Sequence, residues 1–459
     1  MMYLVLVKSS TLWIILVGIT KGVYSRNNHH LFHRPTDVGE QTRAFVASPL
    51  SAGAVSRVGH QRSSIQNFDF DERHDRSGTD AFAWDRYKEK DVIPMWIADM
   101  EFQTAPAVLK ALRSRVEHGI FGYTLPAEGA RAAVVRYYKE RHGVQLEDDR
   151  SIMFTPGTVQ SMMGTCAMLP ANKSVMVTTP SYPPFFDSPK NTGRGVVTIP
   201  LDRAGGRWTY DWNAMEAAMV EHTDVALFML CNPYNPVGRV FTEEELRRLG
   251  EFCERHDLII VSDEIHCDLI LDKELRHLSM LAVDDGRFAD RTIVLNAPSK
   301  TYNVAGLCCA YVIIPNRRLY VGFRRAVRGW ISQNSPLGYE ACTAAYNEGE
   351  TWRQAMLEYL RGNRDYLYAF IQERLPELRI DPMEATYLAW VDIRQLGWEK
   401  PALEFEKAGV GLTAGESFHG EGYVRINFAC PRATLEEALQ RIEKAVVEGY
   451  RQGQRAGDS

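Results

Sequence analysis

The chain reads as an α/β protein, with a mostly parallel sheet covered by helices and a smaller α+β domain beside it. Three observations carry that reading. Six short apolar runs follow one another between residues 152 and 314. They are continuous rather than alternating, as in strands buried on both faces. Amphipathic stretches separate several of them, and most of the runs end in polar or conformationally special residues.

Taken in order, folded sequence begins near Asn67, at NFDFDERHDR. Ala105 to His118 reads as a helix, with Thr104 as its cap and Pro106 near its first position. Arg131 to His142 reads as a second. The strands are Ile152–Phe154, Ser174–Val177, Val225–Leu230, Leu258–Val261, Thr292–Leu295 and Ala310–Ile314. Between them, Thr242 to His256 opens with TEEEL, a capping-box start. Asn363 to Leu375 and Thr434 to Tyr450 read as helices of the C-terminal part. The expected organisation is a leader over 1–66, then residues 67–116 as the N-terminal part of the small domain. Residues 117–330 form the large domain, and 331–459 complete the small one.

The chain has 459 residues, enough for two domains with sizeable cores. A formal net charge of −5 gives no basic field to attract nucleic acid. The expected partners are a small molecule and a second copy of the chain, with no stable membrane association. None of the eight cysteines forms a Cys-x-x-Cys pair, and most lie in apolar runs, so buried thiols are expected rather than a metal site or disulfides.

The N-terminus differs in composition. Leu12 to Ile19 is a short apolar run after Lys8, too short to span a bilayer and suited to a signal-peptide core. Val23-Tyr24-Ser25 offers a cleavage site. Arg26 to about Gln66 is rich in Arg, Ser, His and Gly, like an organelle transit peptide. Two expectations follow: a plastid-like destination reached through the secretory route, or a cytoplasmic protein whose true start lies further on.

The strand ends suggest the chemistry, because ligands of open α/β sheets sit beyond the carboxyl ends of the strands. Lys300 follows the run Thr292–Leu295 in NAPSK. Burial disfavours its ammonium, and a neutral amine is what Schiff-base chemistry requires. The alternative is a half-buried lysine paired with a carboxylate. Asp263 follows LIIVS and suits a pyridine nitrogen that must stay protonated, or it caps a turn. Asn232, in CNPYNP, is a candidate donor to a phenolic oxygen, or a turn residue. Tyr182 is a candidate to stack on the pyridine ring, or an ordinary loop aromatic. Gly157-Thr158-Val159 precedes a helical stretch and offers N–H groups to a phosphate. Arg425 is the sole charge within YVRINFA. It either binds a carboxylate bidentately or sits in a structural ion pair.

The ordered set resembles the class I/II aminotransferase superfamily of fold-type-I pyridoxal-phosphate enzymes, over about Asn67 to Glu448. WDRYKEKDVIPMWIADMEF, VEHGIFGYT, CNPYNPVGRVFTEEEL, SDEIHCDLIL and APSKTYNVAGL are similar to its cystathionine β-lyase, or C–S lyase, branch, which includes the bacterial maltose-regulon-modulator type. The resemblance implies pyridoxal 5'-phosphate as cofactor. Lys300 carries it and moves the proton, Asp263 holds the pyridinium, Asn232 contacts the phenolic oxygen and Tyr182 stacks on the ring. Thr158, Val159 and Ser299 hold the phosphate, and Tyr123 reaches the phosphate of the neighbouring subunit, which implies a homodimer; either Lys300 or Tyr123 is the catalytic group that protonates the departing thiolate. Arg425 binds the substrate carboxylate. His266 stands where many relatives carry a tyrosine, and Cys308 where many carry a phosphate-binding arginine; both are usual for the branch.

The expected reaction is β-elimination from L-cystathionine or a related cysteine thioether, giving a thiol, pyruvate and ammonia. The alternatives are an aminotransferase, which shares the chemistry up to the loss of the α-proton, and a cofactor-binding regulatory protein.

Overall fold

The computed structural model describes residues 4–9, 12–17, 68–126, 128–146, 149–203 and 206–451. Leu4–Ser9 and Leu12–Val17 pair as an antiparallel hairpin in a unit of their own. The cleavage site at Val23-Tyr24-Ser25 and the transit-like stretch to Gln66 lie outside the described residues.

From Phe68 onward the chain forms one compact unit around a seven-stranded sheet. Its strands are β1 (Ile152–Thr155), β2 (Ser174–Thr179), β3 (Gly195–Pro200), β4 (Val225–Cys231), β5 (Ile259–Asp263), β6 (Thr292–Asn296) and β7 (Ala310–Ile313). The order across the sheet is β1-β7-β6-β5-β4-β2-β3. Only β7 runs against its neighbours. β2 and β6 are buried along their whole length, which is why they read as continuous apolar runs. β3 does not read that way. It is an edge strand whose residues alternate between exposed and buried, so no apolar run marks it.

The helix Glu243–Arg255 shows the capping box that TEEEL predicts. The Thr242 hydroxyl accepts from Glu245 N at 3.2 Å, while Glu245 Oε2 takes Thr242 N at 2.8 Å. The helix Pro106–His118 corrects an expectation. Its cap is Ala105 rather than Thr104, because Pro106 occupies the first position and fixes the entry. The long helix Glu350–Arg374 starts well before the expected Asn363, its buried face already running through Trp352, Met356 and Leu360.

A second sheet is fully antiparallel, in the order β8-β9-β11-β10: β8 (Arg379–Ile380), β9 (Leu388–Asp392), β10 (Thr413–Ala414) and β11 (Tyr423–Asn427). Its core joins Phe70, Met95, Met100 and Phe102 to residues as distant in sequence as Leu388, Ile426 and Leu439. Burying such apolar surface stabilises by roughly 25 cal/mol per Å². It also brings the segment around Trp96 against β11, which positions the site. Seven of the eight thiols are buried, and Cys308 is exposed. Among the described residues no helix is long and apolar enough to cross a membrane, and no group of three or more His, Cys, Asp or Glu could hold a metal ion.

Candidate active site

Asp263 ends β5 and lies in register with Cys231 at the end of β4 and Leu295 near the end of β6. Parallel strands therefore deliver the three following loops to one edge of the sheet, which is where Asn232, His266 and Lys300 belong. Asp263 is buried. Its Oδ1 accepts from Ile265 N at 3.2 Å. Burial pushes the carboxyl up to about 7.

Lys300 is half-buried, and its Nζ donates to the carbonyl of Ala98 at 2.7 Å. Among the described residues no carboxylate pairs with it within 4 Å. Burial lowers its pKa, the nearby Arg425 adds to that, and Asp99 and Asp263 oppose it. The amine is thus moved toward the neutral form that attacks an aldehyde.

Arg425 is buried on β11. Its Nη1 donates to Asn235 Oδ1 at 3.1 Å and its Nη2 to Trp96 O at 2.9 Å. The ring of Phe418 lies 4.7 Å from the guanidinium carbon. Nε has no partner, and among the described residues no carboxylate forms an ion pair with this arginine. The structural ion pair is therefore not what Arg425 makes. A buried guanidinium without a counter-ion is costly, and burial brings its pKa down to about 10. The missing partner is an anion.

The remaining groups surround these three. His266 is buried with Nδ1 unpartnered, and burial, with Lys300 and Arg425 adding, holds it down to about 3, so the imidazole is neutral. Tyr182 is half-buried; burial raises its phenol, while Arg425 lowers it and Asp263 raises it, which places the ring among those charges. Gly157 caps the helix Thr158–Ala167 and has no side chain to cover the helix start, and among the described residues no hydrogen bond takes the N–H groups of Thr158 and Val159, the kind of helix start that binds an anion. That helix packs on β6 and β7. Ser299 lies beside Lys300, half-buried.

Asn232 and Tyr123 complete the set. Asn232 is buried directly after β4. Its Oδ1 accepts from Phe241 N at 3.2 Å and its Nδ2 donates to Leu278 O at 3.4 Å, so both ends of the amide serve the main chain. Asn235, three positions on in the same proline-rich stretch, is the asparagine that reaches the site through Arg425. Sequence reasoning missed it because NPYNP presents two asparagines and nothing local separates them. Tyr123 stands fully exposed between two helices, and among the described residues no hydrogen bond joins it to the cleft of its own chain. Tyr387 and Asn427 were also missed. Tyr387 donates to Ala98 O at 3.3 Å, and Asn427 donates to both Ile97 O and Asp99 O at 2.6 Å.

The donor set fits pyridoxal phosphate. There is an amine for its aldehyde, a buried carboxylate for its pyridine nitrogen, an unpartnered imidazole, a flanking aromatic and an uncapped helix start for its phosphate. On this sheet that constellation defines a pyridoxal-phosphate enzyme of fold type I.

The chain belongs to the aminotransferase class I and II family, which matches residues 90–442. It is 36% identical over 388 residues to the cystathionine β-lyase PatB of Bacillus subtilis, covering 82% of this chain and 99% of that one. The crystal structure of OvoB superposes with a TM-score of 0.80 at 40% identity, over 83% of this chain and 100% of that one. The pyridoxal-phosphate-bound C–S lyase of Staphylococcus hominis superposes with a TM-score of 0.78 at 34% identity, over 83% and 98%.

Proposed function

We propose that this chain is a pyridoxal-phosphate-dependent carbon–sulfur β-lyase acting on L-cystathionine or a related cysteine thioether. The observation that carries it is the buried Arg425 guanidinium, held by Asn235 and Trp96 O, with no carboxylate paired to it among the described residues. An amino-acid substrate supplies that carboxylate. The lyase outcome is supported by the likeness to relatives named as cystathionine β-lyases and C–S lyases.

Arg425 binds the substrate carboxylate through its fork and fixes how Cα presents its hydrogen. When bound, pyridoxal phosphate supplies an electron sink for the charge left on Cα, and Asp263 keeps the pyridine nitrogen protonated. Lys300, as a free amine, takes the α-proton. The Cβ–S bond then breaks, and the thiolate carries off its electron pair. Lys300 returns a proton to the sulfur, and the unsaturated product hydrolyses to pyruvate and ammonia.

The enzyme works as a homodimer in this reading. Ile120, Phe121 and Leu125 are exposed apolar residues around Tyr123, a surface suited to a second copy that would receive the tyrosine in its phosphate site. Sedimentation gives the oligomeric state, and a monomer would remove the role assigned to Tyr123.

The functional test uses purified protein with pyridoxal phosphate and L-cystathionine and no keto-acid acceptor. Sustained, equal release of thiol and pyruvate is expected. Turnover that waits for an acceptor would make the protein an aminotransferase.

A further inference from the structure

Four consecutive carbonyls of one loop are taken by side chains of the site. Trp96 O accepts from Arg425 Nη2 at 2.9 Å. Ile97 O and Asp99 O both accept from Asn427 Nδ2 at 2.6 Å. Between them, Ala98 O accepts from Lys300 Nζ at 2.7 Å and from the Tyr387 hydroxyl at 3.3 Å. Asn303 fixes the far end, bonding Met100 N and O and Phe102 O. Arg425 and Asn427 are alternate residues of β11, so both side chains leave the same face and meet this loop.

We propose that the Ala98 carbonyl orients the Lys300 amine during proton transfer, and that Tyr387 and Asn427 are positioning residues that hold that carbonyl in place. This rests on the assignment of Lys300 as the base. A neutral amine has two N–H groups and one lone pair, and it rotates freely about its last bond. Committing one N–H to Ala98 O removes that rotation and leaves the lone pair aimed in one direction, toward the α-hydrogen that Arg425 presents. The carbonyl direction is itself fixed, because peptide groups are planar and Asn427 grips the carbonyls on either side. A carbonyl has two lone pairs, and Tyr387 occupies the second. Since Arg425 holds Trp96 O two residues away, one short loop sets the base and the carboxylate anchor at a fixed separation. The lowered pKa of Lys300 is consistent with an amine that acts as acceptor of a proton.

The test measures α-hydrogen exchange of L-alanine in D₂O by NMR, with wild-type holoenzyme, Tyr387→Phe and Asn427→Ala. Alanine has no β-leaving group, so exchange reports proton transfer whichever product the enzyme makes. Tyr387→Phe is expected to slow exchange at saturating alanine at least tenfold. Half-saturation should stay within twofold of wild type, and the pH midpoint of the cofactor's visible band, recorded without substrate, should move. Asn427→Ala should do the same more severely; if it does not fold, the isosteric Tyr387→Phe decides alone. Unchanged exchange in Tyr387→Phe overturns the proposal. So does a loss that appears only as weaker alanine binding or a lower melting temperature. Wild-type enzyme that exchanges alanine but releases no thiol from L-cystathionine removes the lyase reading and leaves this expectation for the variants standing.

Discussion

Arg425 and Asn235 form a buried hydrogen-bonded pair, Nη1 to Oδ1 at 3.1 Å, across 190 residues of sequence. The bond steadies a guanidinium that has no counter-ion among the described residues. A lysine at this position would keep the charge and lose the planar fork. Arg425→Lys is therefore expected to weaken substrate binding by about 1.5–3 kcal/mol, the range for hydrogen bonds to charged groups. The cofactor's absorbance should be unaffected. Substrate titration checks this, and equal affinity in the variant would make Arg425 a structural residue.

The two asparagines of CNPYNP separate by experiment as they do in space. Asn235→Ala leaves Arg425 with one anchor and should raise the half-saturating substrate concentration while the fold keeps its stability. Asn232→Ala instead strips partners from Phe241 N and Leu278 O. Buried groups left unpaired cost roughly 1–3 kcal/mol each, so its effect should appear as a lower melting temperature. If Asn232→Ala disturbs the cofactor spectrum and Asn235→Ala does not, the assignment reverses.

Lys300→Ala should abolish the visible band of the lysine-bound cofactor and turnover with it. The buried site otherwise remains intact, because among the described residues the lysine's hydrogen bond is to Ala98 O, a main-chain group. Absorbance after reconstitution and gel filtration measures this directly. A wild-type spectrum in the variant would move the Schiff base elsewhere.

Much of this site is legible in the chain because strand ends announce themselves. β5 and β6 are apolar up to the pair Ser262-Asp263 and to the turn before Lys300, so a charged residue there stands out. Arg425 stands out for the same reason, as one charge in an otherwise uncharged strand. What escaped had no local signature. β3 lies at a sheet edge and alternates, the pattern of half-exposed strands rather than of its buried neighbours. The loop at Trp96–Asp99 owes its role to hydrogen bonds from residues 300, 387, 425 and 427, all long-range in sequence. Asn427 lies inside the motif that drew attention to Arg425, yet only the folded sheet shows that both reach one loop.

Asp263 gives a pH prediction whose sign can be worked through. In the cofactor-free protein burial raises its carboxyl from the usual 3.8 to about 7. The folded state then holds a proton that the unfolded chain has released, so this group lowers stability as pH rises from about 4 to 7. His142 and His266 act oppositely. Burial brings each down to about 3, so they add stability as pH rises from about 3 to 6.5. The wild-type profile sums these and other shifted groups, so it does not isolate the carboxyl. The difference between wild type and Asp263→Asn isolates it. Without cofactor, the variant should gain stability relative to wild type as pH rises from 4 to 7, by on the order of 4 kcal/mol at most. With pyridoxal phosphate bound, the pyridinium favours the carboxylate, and the same comparison should lose that slope. Chemical denaturation of both proteins at pH 5 and pH 8, with and without cofactor, gives the eight values required. An identical pH dependence in variant and wild type would mean that Asp263 titrates as an ordinary carboxyl and is not the group held for the pyridine nitrogen.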